Sequence, residues 1–104
     1  MGELANAIGE PAMYELMAEE CNELAKACLK KARIIRGENP TPLTTSEADV
    51  SIMEEWSDVI LCAREMRLRY SEAMIHHKTK RWTERMNQQQ ALQSLQPLDS
   101  SFNP

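Results

Sequence analysis

The chain has 104 residues and a formal net charge of −4; 42% of it is hydrophobic and only 5% aromatic. That length holds one domain with a modest core, and the acidic balance excludes the basic footprint of a nucleic-acid binder. No apolar run approaches the ~18 residues of a membrane span, and Cys21, Cys28 and Cys62 form no CxxC pair, which points to free thiols in a reducing compartment.

The start, MGELANAIGEPAMYE, lacks the basic-then-apolar pattern of a signal peptide, so a cytoplasmic protein is expected. Pro11 suits a first helical turn, and nothing after it breaks a helix before Gly37. GENPTPLTT is loop by composition. Thr45 or Ser46 can cap a second long helix, with Glu47 and Asp49 in its first turn, running to about Leu68. Ser71 followed by Glu72 offers a new cap. A bend is therefore expected near Tyr70, with a last helix from Ser71 to about Gln90. Residues 91–104 read as a polar, flexible tail. The apolar set is Ala, Leu, Ile and Met, which favours helix over strand. The expected fold is all-α: a bundle of about three to four helices, completed by homo-oligomerisation because so short a chain buries little alone.

Two acidic clusters stand out, EECNE at residues 19–23 and EEWSD at residues 54–58. At about 100° per residue, Met13, Leu16, Met17, Leu24, Ala27, Cys28 and Ile35 draw an apolar arc on the first long helix. Glu20 falls inside that arc, Glu23 at its edge, and Glu19 further round. On the second helix the arc is Ile52, Trp56, Val59, Ile60, Ala63 and Met66, with Glu55 at its edge and Asp58 one step beyond. Carboxylates pressed toward a core lose hydration and repel one another, so they need cationic partners or a metal ion. Lys30, Lys31 and Arg33 could pair some of them. An all-oxygen ligand set drawn from two helices suits Mg²⁺ or Mn²⁺ rather than Zn²⁺. Glu is also a good helix former, and the same spacing occurs on solvated faces. Both readings stand on the residues alone.

EExxE (Glu19, Glu20, Glu23) followed by ExxD (Glu55, Asp58) resembles the signature of the MazG-like family of all-α nucleoside triphosphate pyrophosphohydrolases. EECNELAKACLK and EEWSDVILCARE are similar to that family's two metal-binding helices, and IHHKTKRWTERM to its basic stretch. The resemblance covers roughly residues 10–86, within a helical domain taken as residues 1–90. Two departures are visible: the stretch 24–54 between the motifs is longer than in compact members, and a His precedes Lys78 where many relatives carry Asn. The resemblance implies Mg²⁺-dependent hydrolysis of a nucleoside triphosphate, of deoxy or non-standard type, to the monophosphate and pyrophosphate. It implies Glu20, Glu23, Glu55 and Asp58 as metal ligands and Glu19 as the group that positions or deprotonates water. Lys78 and Arg81 would neutralise phosphate charge, and the assembly would be a homodimer or homotetramer. Phosphoribosyl-ATP pyrophosphohydrolase activity on the same fold, and a non-catalytic helical interaction module, are the alternative expectations.

An unbroken helix would place Lys78 about 30 Å from Asp58 at ~1.5 Å per residue. Either the chain turns near Tyr70 or Lys78 serves a partner subunit's site. His76 and His77, being adjacent, face different sides of a helix and make a poor metal pair. Trp56 is expected in core or dimer packing, and Trp82 similarly.

Overall fold

The computed structural model describes residues 1–38 and 43–101, with side chains as far as residue 95. The described residues form four helices and no strand: α1 (Glu3–Ile8), α2 (Glu10–Arg36), α3 (Thr45–Glu65) and α4 (Glu72–Ser101). They fall into two units, Met1–Arg69 and Tyr70–Pro104. None of the helices is long and apolar enough to cross a membrane.

In the first unit, α2 and α3 pack along each other and α1 touches both. Gly9, at φ 92°, is the hinge between α1 and α2, a conformation that side chains with a Cβ rarely adopt. Pro11 lies in the first turn of α2, where a missing N–H costs nothing. The helix stops at Gly37, which is left-handed at φ 71°. The Gly37 amide donates to the Ile34 carbonyl at 3.2 Å and the Glu38 amide to the Arg33 carbonyl at 3.1 Å. These are the paired bonds that close a helix C-terminus around a left-handed residue.

The cap of α3 is Thr44, not Thr45 or Ser46. Its hydroxyl accepts from the Glu47 amide at 3.1 Å, and the Glu47 carboxylate accepts from the Thr44 amide at 3.2 Å. Two backbone donors are satisfied reciprocally. This helix ends at Glu65, short of the expected Leu68, because Arg67 turns left-handed at φ 55°. The Leu68 amide then reaches the Ala63 carbonyl at 2.9 Å. The expected break follows, and the Ser71 hydroxyl accepts from the Met74 amide at 3.1 Å as α4 begins. That helix runs to Ser101, beyond the expected end at Gln90. The QQQALQSLQ run is rich in good helix formers. Residues 39–42 of the expected loop and residues 102–104 of the expected tail lie outside the described residues.

The core of the first unit is small: Ala5, Met13, Cys62 and Met66, with Leu16 and Met17 against it. Short α1, which the sequence pattern did not signal, covers one end of this core through Ala5. Glu65 ties it down: its carbonyl accepts from the Gly2 amide at 2.7 Å and its carboxylate from the Ala5 amide at 2.9 Å. The expected arcs are only partly buried. Ile35 is 70% exposed and Trp56 52% exposed, so Trp56 is not a core residue of this chain. One neighbouring helix covers only part of each apolar arc.

Candidate metal centre

Glu20 sits on α2 between Leu16 and Leu24, all three half-buried. Glu55 and Asp58, one turn apart on α3, approach it from the other side. One carboxylate oxygen from each of the three lies within 4.8 Å of the other two. Oxygens on opposite sides of a Mg²⁺ ion, bound at about 2.1 Å, stand roughly 4.2 Å apart. Adjacent oxygens on such an ion stand roughly 3 Å apart, so side-chain rotation that draws the trio together would be needed for all three to bind one ion.

The electrostatics fit the crowding. Burial pushes the Glu20 carboxyl above its ordinary range, and the Asp58 charge, a hydrogen bond with Asp58, and the charges of Glu55 and Glu23 push the same way. The Cys62 thiol lies buried on α3 one turn beyond Asp58. Burial raises its pKa first, and Glu20, Asp58 and Cys21 add to the effect. A raised thiol pKa leaves little thiolate, so Cys62 packs the core beneath the carboxylates and is no nucleophile. Cys21 and Cys28 are exposed free thiols.

The other sequence-predicted residues are placed differently. Glu23 is exposed and pairs with Lys26 at 3.3 Å, although its charge still reaches Glu20. Glu19 is exposed and lies outside the trio. Lys31 pairs with Asp49 near the start of α3, not with either acidic cluster. Lys78 and Arg81 are exposed on α4, in the second unit, as are His76, His77 and Trp82. With α3 ending at Glu65 and α4 starting at Glu72, no continuous helix joins Asp58 to Lys78.

A cavity of about 130 Å³ adjoins the trio, lined by Glu23 and Glu55 together with Lys26, Lys30, Ala27 and Ala48. Sequence reasoning assigned no role to Lys26, and Lys30 only as a possible partner for the carboxylates. The available signal was their spacing: with Glu23 they follow at i+3 and i+7 on one helix face.

Compared with known proteins, the chain matches no family model, no curated sequence and no solved structure.

Proposed function

We propose that this chain is a Mg²⁺-dependent nucleoside triphosphate pyrophosphohydrolase, acting on a deoxy or non-standard nucleotide in the cytoplasm. The observation that carries this reading is the convergence of Glu20, Glu55 and Asp58 from two helices to within 4.8 Å. Glu20 and Glu55 are half-buried and Asp58 is exposed; three carboxylates this close, with no cationic partner among the described residues, repel one another unless a cation joins them. Mg²⁺, or Mn²⁺, supplies that cation and keeps open positions for water and phosphate oxygens.

In this reading Glu23 swings from Lys26 to complete the ligand set. Glu19 positions the attacking water and takes its proton. The water oxygen forms a bond to the α-phosphorus as the bond to the bridging oxygen breaks. The nucleoside monophosphate and pyrophosphate leave, with Lys78 and Arg81 balancing phosphate charge in their own or a partner subunit's site. Such a reaction needs positioning and charge neutralisation more than a nucleophilic side chain. A homodimer or homotetramer would cover Val50, Met53, Trp56 and Leu61, which are exposed on α3.

The test is a panel of canonical, deoxy and non-standard nucleoside triphosphates incubated with Mg²⁺ and assayed for pyrophosphate. Release from at least one, abolished by EDTA, is expected. No release from any of them overturns the assignment, and no release from phosphoribosyl-ATP either leaves an interaction module as the better account.

A further inference from the structure

The cavity beside the carboxylate trio has a charge arrangement that the metal reading alone does not use. Its apolar wall includes Ala27 and Ala48, both buried, and small side chains there keep the space between α2 and α3 open. Lys26 and Lys30 stand one turn apart on the α2 side, and Glu23, Glu55 and Ser51 complete the polar wall. Lys26 is already balanced by Glu23 at 3.3 Å, whereas Lys30 has no ion-pair partner among the described residues. Glu55 belongs both to the cavity and to the trio. Without a cation on the trio, Glu55 offsets Lys30 and the cavity is close to neutral. With a divalent cation there, the Glu55 charge is already engaged, and Lys30 leaves the cavity positive.

We propose that this cavity receives a phosphate group of the substrate, with Lys30 as the residue that positions it, and that it does so only after the cation has bound. The proposal rests on the metal reading above. At about 130 Å³ the cavity is well below the ~300–1,000 Å³ that encloses a whole drug-sized ligand, so it suits one compact anionic group rather than a nucleoside. A lysine ammonium serves such a group as a point charge that does not demand one fixed geometry. Lys26, tied to Glu23, joins the phosphate when Glu23 turns to the metal. Binding of cation and anion is thereby reciprocal: each raises the affinity for the other.

The experiment uses Mn²⁺ as a paramagnetic probe, with the full chain in excess over the metal. Solvent-proton relaxation reports Mn²⁺ held by the protein. The ³¹P linewidth of added inorganic phosphate reports an anion beside that Mn²⁺. Wild type and Lys30→Arg should hold Mn²⁺ and broaden the phosphate line. Lys30→Gln should hold Mn²⁺ equally and bind phosphate roughly tenfold more weakly, the scale of a lost charge-assisted hydrogen bond. Lys30 is exposed, and an unchanged helical circular dichroism spectrum will show that the Gln variant is folded. Equal broadening by wild type and Lys30→Gln, with Mn²⁺ held by both, overturns the phosphate assignment and leaves the metal reading intact. A wild-type chain that holds no Mn²⁺ overturns both.

Discussion

The Glu20 carboxylate on α2 and the Asp58 carboxylate on α3 bring oxygens within 4.8 Å of each other, and the Asp58 charge adds to burial in holding the Glu20 carboxyl above its ordinary range. A proton on Glu20 would relieve the same crowding of charge that a bound cation relieves, so the two compete for the same oxygens. That competition links acidity, stability and metal affinity in this protein.

Replacing Glu20 with Gln removes one negative charge from the trio and supplies an amide that can donate to Asp58. The metal-free protein is expected to melt at or above the wild-type temperature. Mn²⁺ affinity and pyrophosphate release should both fall by more than the ~10–100-fold typical of outer-shell changes around a metal. Calorimetric titration with Mn²⁺ and a pyrophosphate assay read the two effects. Unchanged release in a folded Glu20→Gln protein removes Glu20 from the ligand set.

The pH dependence has a definite sign. The folded-state pKa of Glu20 is raised above 4.5, so the folded chain holds this proton more tightly than the unfolded chain does. Its contribution therefore makes metal-free stability fall as pH rises from 4.5 through the raised value, and levels off beyond it. Mg²⁺ competes with the proton, so the stabilisation it brings grows over the same window. Thermal melts from pH 4.5 upward, in EDTA and in Mg²⁺, should diverge with rising pH. In Glu20→Gln the fall in the EDTA series should be smaller.

Gly2 is a packing requirement. Its φ is −72°, which any residue adopts, but a Cβ there would lie 2.3 Å from the Glu65 Oε2. Gly2→Ala must push that carboxylate aside and break its bond from the Ala5 amide. A bond to a charged group contributes about 1.5–3 kcal/mol, offset by ~0.4–1 kcal/mol from a stiffer unfolded chain. A net loss of roughly 1–2 kcal/mol is expected in urea denaturation. Glu65→Ala should cost a similar amount, and the double variant little more than either alone.

Arg67 offers the opposite change. Its left-handed φ of 55° costs an L-residue about 1–2 kcal/mol, and glycine avoids that cost. Arg67→Gly should stabilise the first unit by roughly 0.5–1 kcal/mol after glycine's greater unfolded-state freedom is counted. The midpoint of urea unfolding should rise with no change in slope. A lower midpoint would show that the Arg67 side chain makes a contribution larger than its backbone strain.

The long helices were legible because their ends carry punctuation: Pro11 and Gly37 bracket α2, and Ser71 opens the way to α4. Thr44 was readable too, since Glu47 stands three residues after it and completes the reciprocal cap, but two further hydroxyl residues next to it obscured the signal. Helix α1 has six residues, fewer than two turns, and no periodic pattern can declare it. Helical geometry put Glu20 inside one apolar arc, Glu55 at the edge of the other and Asp58 just beyond it, but a solvated face fitted the same spacing, so their convergence was not decided by it. The diversion of Glu23 to Lys26 was not legible either, because both residues lie on the same helix and the choice is made by side-chain rotation. Nor does an apolar arc reveal how much of itself a single neighbour covers, and Trp56 and Ile35 were assigned too deep for that reason.

The bonds from Gly2 and Ala5 to Glu65 join points 63 and 60 positions apart in the chain. Packing of α2 on α3 can begin as soon as part of each helix exists, but this clasp must wait until nearly the whole first unit has been made. During synthesis Gly2 and Ala5 are therefore made well before the residue that holds them. In the finished protein the same latch is the natural point at which the unit begins to open, and hydrogen exchange at the Gly2 and Ala5 amides would register that opening before the carboxylate trio separates.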